Sequence, residues 1–167
     1  SIGGLISIEN MAVFRRYLSQ HGVDMAAVSE QELKSVRRLL SFRLGGERCA
    51  LPLSLVDRVE EYGSAVNLPE GDDTLAGVVQ IKGEVAPVLD MRDMLGVKAG
   101  DTSAYVVVRI QGAPWALVVD KVDRVIEIAE KDITPVRTNQ NDYLTEVGRL
   151  DGELVSLLSL EPLSRAA

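Results

Sequence analysis

The sequence predicts a mainly β protein of two similar small antiparallel barrels, preceded by two short helices. The tetrapeptide VDRV occurs at residues 56–59 and again at 122–125, in a chain of 167 residues, and its flanks match as well. After residue 41, short runs of valine, leucine and isoleucine alternate with glycine-containing turns, which is typical of small β-barrels. Before that point, apolar residues recur at helical spacing.

The N-terminal residues 1–40 are predicted to form a helical extension. A first helix is indicated by apolar residues at helical spacing before the terminator Gly22, namely Ile8, Met11, Ala12 and Leu18. A second is indicated by SEQELKSVRRLL at 29–40, which opens with Ser29 and Glu32 in a capping box. The two helices are expected to pack against the body, with a partner-binding arm as the alternative.

The body of the chain is an internal repeat, with a first copy at about 41–97 and a second at about 103–163. Residues 42–61 and 108–127 align without a gap at an offset of 66, and residues 75–91 and 144–160 align at an offset of 69. Identical pairs include Arg43/Arg109, Gly46/Gly112, VDRV itself, Gly83/Gly152 and Glu84/Glu153. A long unit that occurs twice indicates two similar subdomains packed together.

Each repeat has the same order of elements. A hairpin with a glycine turn comes first, a segment through VDRV follows, and a second glycine hairpin lies near the end, which predicts one barrel per repeat. The predicted turns are Gly45-Gly46, Lys82-Gly83, Gln111-Gly112 and Asp151-Gly152. Within VDRV, the valines are expected to point inward and the Asp-Arg pairs outward, as a solvated face.

Composition excludes several functions. The net charge of −7 opposes nucleic-acid binding. No apolar run approaches a membrane span, no secretory signal is present, and the single Cys49 fits a core position in a reducing compartment, so a cytoplasmic location is expected. The single His21 and the absence of nucleophile, phosphate-binding and metal motifs predict no enzyme, no cofactor and no metal. Asp120 is expected to be a strand-end residue and Trp115 a core residue.

From Leu40 to about Leu163, the sequence resembles the CheW-like domain of bacterial chemosensory adaptors. The segments that carry the resemblance are FRLGGERCALPLSLVDRVEE, NLPEGDDTLAGVVQIKGEVAPVLDMRDMLGV, WALVVDKVDRVIEI and GELVSLLSLEPL, in this order. The resemblance implies two pseudo-symmetric five-stranded SH3-like barrels at 41–165. It also implies a non-catalytic adaptor at membrane-associated chemoreceptor arrays, which links the cytoplasmic tips of chemoreceptors to the regulatory domain of a CheA-type histidine kinase.

The same resemblance assigns candidate binding residues by position. A receptor-binding groove is implied at Val56, Arg58, Val59, Lys82 and Val122, and a kinase contact at Gly77, Lys82 and Gly83. Lys82 stands where the family usually has arginine, which keeps the charge but loses the planar fork. Arg58 stands where classical adaptors are often acidic. The alternative implication for Gly77 is a strand bulge.

Two further hypotheses stay open from the sequence. The chain could be the CheW-like regulatory or docking domain of a larger array protein or kinase, in which case an ATP-binding domain would lie upstream. It could also be a small-barrel binder of a ligand or of nucleic acid, although an aromatic content of 4% leaves few stacking platforms.

Overall fold

The computed structural model describes residues 35–63, 66–68, 75–98, 100–137 and 142–165. The first repeat contains β1 (Val36–Leu44), β2 (Glu47–Pro52), β3 (Val56–Glu61), β4 (Val66–Leu68), β5 (Leu75–Ile81) and β6 (Glu84–Leu89). The second contains β7 (Ala104–Ile110), β8 (Ala113–Val119), β9 (Lys121–Ala129), β10 (Ile133–Pro135), β11 (Leu144–Leu150) and β12 (Glu153–Leu158). A short helix, α1 (Glu161–Arg165), follows, and 3-10 turns lie at Leu53–Leu55 and Glu130–Asp132.

The strands form two six-stranded sheets, which confirms the mainly β class. Sheet A has the order β10-β11-β12-β2-β1-β9, and sheet B has the order β3-β7-β8-β6-β5-β4. The resemblance implied five strands in each. The sixth strand is β10 in sheet A and β4 in sheet B, and each has only three residues. In each sheet the VDRV strand, β9 or β3, forms one edge, and the chain then crosses to the opposite edge and forms this short strand there. Both edges of a sheet are therefore joined by a few residues, so each sheet curls on itself.

The two sheets do not coincide with the two repeats. Sheet A joins β1 and β2 of the first repeat to β9–β12 of the second, while sheet B joins β7 and β8 to β3–β6. Each repeat thus gives its first hairpin to the other repeat's sheet. Equivalent parallel pairings make the junctions, Leu157 beside Ala50 in sheet A and Val88 beside Ala116 in sheet B. The expectation of one barrel per repeat is corrected here, because sequence similarity marks the unit but not its pairing partner.

The exchanged hairpins carry the core that joins the two sheets. β1 alternates so that Leu40, Phe42 and Leu44 enter a central cluster, while Leu39 enters a smaller cluster with β9 and β12. β7 does the same on the other side, since Val106 and Val108 enter the central cluster and Tyr105 and Val107 a cluster with β5 and β6. Residues 39–42 of β1 and 104–108 of β7 are buried on both faces, and the buried stretch of β7 is continuously apolar. Cys49 is also in the central cluster, and burial raises the pKa of its thiol to about 12.

The predicted N-terminal helices have different outcomes. The first helix and most of the second fall on residues 1–34, which lie outside the described residues. The helix prediction is wrong for residues 36–40, because they form the start of β1 and pair with residues 125–129 of β9. Pairing with β9 and burial of Leu39 and Leu40 outweigh the weak helical periodicity of this stretch.

Candidate protein-interaction surface

The aspartate of VDRV is a β-bulge in both repeats. In β3, Val56 pairs with Val108 and Arg58 with Val107, which leaves Asp57 without a partner position in β7. In β9, Val122 pairs with Phe42 and Arg124 with Ser41, which leaves Asp123 extra in the same way. A bulge bends and twists the strand that carries it. The repeated tetrapeptide therefore marks the point where each exchanged hairpin meets the strand that closes its sheet.

Each bulge aspartate contacts an arginine of the exchanged hairpin. Arg109 of β7 donates from Nε to Asp57 Oδ2 at 3.1 Å and from Nη2 to Glu84 Oε1 at 2.5 Å. In the other sheet, Arg43 Nε lies 3.3 Å from Asp123 Oδ2, and Arg43 Nη1 donates to Glu153 Oε1 at 2.9 Å. Both triads consist of residues that are identical between the repeats. The expectation that the Asp-Arg pairs form a solvated face holds for Asp57 and Arg124, which are exposed, whereas Asp123 and Arg58 are partly buried. Both aspartates also form ion pairs across strands.

The same arginines also hold the glycine turns of their own hairpins. Arg109 Nη1 donates to the carbonyl of Gly112 at 3.2 Å, and Arg43 Nη1 donates to the carbonyl of Gly46 at 3.4 Å. One guanidinium thus joins a hairpin turn, a bulge and a second hairpin. Hydrogen bonds to Glu84 and Asp57 raise the pKa of Arg109 above its ordinary value, so the guanidinium stays charged. The arginine, aspartate and glutamate that are identical in the two repeats therefore form the same junction twice, once in each sheet.

Of the residues predicted to bind partners, Arg58 and Lys82 are brought together by one carboxylate. Arg58 Nε donates to Glu60 Oε1 at 3.1 Å, and Lys82 Nζ lies 3.3 Å from the same oxygen. Arg58 also donates from Nη1 to Asp57 Oδ2 at 2.7 Å. The side chain of Lys82 is 71% exposed, whereas that of Arg58 is 24% exposed. Lys82 is therefore the cation of this pair that a partner can reach with little loss of internal contacts.

Lys82 and Gly83 form the β5–β6 turn. Their φ angles of 49° and 83° match those of Asp151 and Gly152, 52° and 77°, at the equivalent turn of the second repeat. Both central residues are left-handed, as a two-residue hairpin turn requires. The predicted turns are confirmed. At the tips of these two equivalent hairpins the side chains have opposite charge, since residue 82 is a lysine and residue 151 an aspartate.

The predicted groove residues of VDRV divide between core and surface. Val56 and Val122 are half-buried and pack against the central cluster from their two sheets. Val59 and Val125, in contrast, are 44% and 43% exposed. The expectation that both valines of VDRV point inward is wrong for Val59 and Val125, which are exposed on β3 and β9, the edge strands of their sheets. The structure therefore leaves Val59 available to a partner and Val56 largely committed to packing.

Gly77 lies away from the other predicted kinase-binding residues. It is buried in β5 with a φ of 134°, next to a bulge at the β5–β6 pairing. Lys82 is five positions after Gly77 along extended chain, which corresponds to roughly 16 Å. The φ angle and the bulge give this glycine a backbone role of its own, as the alternative interpretation of the sequence had it.

Asp120 and Arg92 make a further junction, which sequence reasoning did not assign. Arg92 Nη1 donates to Asp120 Oδ1 at 2.7 Å, while Nε and Nη2 donate to Asp90 at 2.9 and 2.7 Å. Asp120 also accepts a hydrogen bond from the backbone N–H of Gly45. Hydrogen bonding to Arg92 lowers the pKa of the Asp90 carboxyl. This junction ties the segment between the repeats to the β1–β2 turn, so Asp120 has the strand-end role expected of it.

The chemistry of these clusters is that of ion pairing between strands. Within the described part of the chain, no group of three His, Cys, Asp or Glu side chains could hold a metal ion. Among the same residues, no helix is long and apolar enough to cross a membrane. The surface offers a protruding cation at Lys82 and exposed apolar side chains at Val59, Val85, Val125 and Leu154. Such a surface is suited to protein contacts, in which apolar anchors and charge complementarity act together.

A family model described as the CheW-like domain matches residues 38–167 of this chain.

The chain belongs to the CheW-like domain family.

Relatives and a solved structure agree with that assignment. Chemotaxis protein CheW of Rhizobium meliloti is 24% identical over 132 residues, which cover 75% of this chain and 85% of the relative. Chemotaxis protein CheW of Helicobacter pylori is 26% identical over 145 residues, which cover 83% of this chain and 87% of the relative. The crystal structure of scaffolding protein TtCheW from Thermoanaerobacter tengcongensis is similar with a TM-score of 0.64 and 26% identity, over 74% of this chain and 88% of that one.

Membership in the CheW-like family supports a scaffold role in chemotaxis and is consistent with a protein that is not an enzyme. The match begins at residue 38, within β1, whereas the sequence analysis put the start of the domain at 41. Sequence reasoning missed the roles of Arg43, Arg109 and the two paired glutamates. The signal was present, since all four are identical between the repeats, but no sequence pattern shows that they meet across exchanged strands.

Proposed function

We propose that this protein is a non-catalytic adaptor of a bacterial chemosensory array. It couples the cytoplasmic tips of chemoreceptors to the regulatory domain of a CheA-type histidine kinase, at arrays associated with the membrane. The observation that carries the proposal is the match of residues 38–167 to the CheW-like domain. The similar TtCheW is described as a scaffolding protein, and the described ion-pair clusters at the two bulges join strands to one another.

The proposed kinase contact comprises Gly77, Lys82 and Gly83. Support for Lys82 and Gly83 comes from their place at the tip of the β5–β6 hairpin, where the lysine side chain is largely in solvent. A partner carboxylate would compete with Glu60 for Lys82 Nζ, and Glu60 would keep its hydrogen bond from Arg58. Gly77 contributes through the backbone of β5. A partner patch of the usual size, about 800 Å² on each side, spans the whole hairpin.

The proposed receptor contact comprises Val56, Arg58, Val59, Lys82 and Val122. Val56 and Val122 occupy equivalent positions in the two sheets and border the central cluster, so a helical partner laid between the sheets would meet both. Val59 supplies exposed apolar area, and Arg58 and Lys82 supply charge through their shared Glu60. Charge of this kind governs association rate and partner choice more than affinity.

The kinase contact is tested by calorimetric titration with the CheA-type regulatory domain from the same source. We expect binding in the micromolar range, about −8 kcal/mol. Lys82→Asn should weaken binding at least tenfold, because it removes the protruding charge at a position where asparagine accepts the left-handed backbone. Asp151→Asn is the matched control, since it makes the same kind of change at the equivalent turn. Equal affinities for Lys82→Asn and wild type would refute this role of Lys82.

A further inference from the structure

An apolar groove lies beside the start of β1. Its volume is about 390 Å³, within the range of ligand and side-chain pockets. Apolar side chains form most of its walls, among them Leu39, Pro52, Leu55, Ile110, Leu157 and Leu160. None of Val56, Arg58, Val59, Gly77, Lys82, Gly83 and Val122 lines it. What occupies the groove is therefore a question separate from the proposed function.

The charged residues that line the groove are Arg37, Glu146 and Glu161. Arg37 lies on the rim and donates to both Glu130 and Glu146, with distances between 2.6 and 3.1 Å, so its charge is already neutralised. Glu161, also on the rim, is exposed, and its described ion pair is with Arg165 at 3.4 Å. An occupant with apolar side chains and nearby arginines would complement both the walls and this rim.

The chain's own N-terminal segment has that composition. Within residues 1–34, Ile8, Met11, Phe14 and Leu18 recur every three or four residues, and Arg15 and Arg16 lie among them. Two groove residues, Arg37 and Leu39, follow this segment directly along the chain. We propose that the groove is the docking site of residues 8–18, which insert their apolar side chains between β1, the 3-10 turn at Leu53–Leu55 and the segment before α1.

The tether makes this docking effective even if the contact is weak. Sixteen residues, 19–34, connect the proposed docking stretch to Ser35, and an extended chain of that length reaches roughly 50 Å. A linked segment experiences an effective concentration in the millimolar range. A contact whose affinity in trans is only millimolar is thus substantially formed within the chain. Docking would also brace the turn at Leu53–Leu55, which leads directly into β3 and its VDRV residues.

Hydrogen exchange of the full chain tests the docking. Met11→Glu places a charge among the apolar side chains, and we expect amide exchange in residues 157–164 to become at least tenfold faster. Gln20→Glu is the matched control, because helical spacing of the sequence puts residue 20 on the opposite face from Met11. We expect no change in exchange for this variant. Equal exchange of residues 157–164 in wild type and both variants would overturn the proposal.

Chemical crosslinking tests the docking geometry. Ser164 lines the groove, so Met11→Cys combined with Ser164→Cys should form an intrachain link with a short bismaleimide. Met11→Cys combined with Asp151→Cys, at a distant turn, should not. Cys49 is buried and its thiol pKa is raised to about 12, so it stays unreactive. Links only between chains, or equal yields from both pairs, would overturn the proposal.

Discussion

Replacing Arg92 with methionine should destabilise the protein by about 3 kcal/mol, near the lower end of the cost of breaking a buried ion pair. The Arg92 side chain is 9% exposed and donates to Asp90, Asp120, Thr102 and the carbonyl of Gly100. Methionine keeps much of the apolar packing but leaves Asp120, itself 11% exposed, with the Gly45 N–H as its remaining described donor. That residual hydrogen bond is the reason to expect the lower end of the range.

The loss is measured by urea unfolding, with the fluorescence of the single Trp115 as the probe. We expect the slope of the unfolding free energy against urea concentration to be the same in the variant and the wild type. Arg37→Met is the matched control. Arg37 also pairs with two carboxylates, but its side chain is 35% exposed, so we expect a loss of no more than about 1 kcal/mol. If Arg92→Met cost as little as Arg37→Met, burial of the junction would not be the source of its stability.

The same variant predicts a pH dependence. The pKa of Asp90 is lowered in the folded protein, chiefly by hydrogen bonding to Arg92. A lowered folded pKa contributes stability that is present above the unfolded value of about 3.9 and is lost as pH falls through the folded pKa. The stability difference between wild type and Arg92→Met should therefore narrow below about pH 4. A difference that is constant from pH 7 to pH 3 would contradict this account of Asp90.

Three further predictions concern the surface, the core and the thiol. Val59→Asp should reduce receptor binding at least tenfold in a co-sedimentation assay and leave stability within about 0.5 kcal/mol, whereas Val125→Asp should leave binding unchanged. Phe42→Ala, in the central cluster, should cost about 3–5 kcal/mol in urea unfolding, against about 0.5 kcal/mol for exposed Val85→Ala. The pKa of the Cys49 thiol is raised to about 12 in the folded protein, so the thiol ionises at lower pH in the unfolded chain. The free energy of unfolding should therefore fall above about pH 9, and Cys49→Ala should lack that fall.

Much of the fold could be predicted because local chemistry determines hairpins. Glycine turns, alternating apolar strands and a duplicated segment locate most strands and turns along the chain. Pairing between distant strands is not visible in this way. A hairpin with an apolar face can pair within its own repeat or with the other repeat, and the sequence of the hairpin does not distinguish the two; here it pairs with the other repeat. The exchange of β1–β2 with β7–β8 therefore had to come from the structure.

The interaction surface was predictable only in part for a related reason. The turn at Lys82-Gly83 follows from its sequence, and so does its protrusion into solvent. The role of the VDRV aspartates does not, because a bulge becomes evident only when the opposing strand is known. Once Arg43 and Arg109 are placed on the exchanged hairpins, their identity in the two repeats has a physical reason, namely two equivalent junctions.

Reconstitution of kinase control tests the central claim most directly. Receptor-bearing membranes and the CheA-type kinase from the same source are combined with and without the full chain, and ATP turnover by the kinase is measured with and without attractant. The adaptor account predicts that the chain alone has no turnover, that receptors control the kinase when the chain is present, and that this control is lost without it. Attractant control of equal size in the absence of the chain would contradict the account.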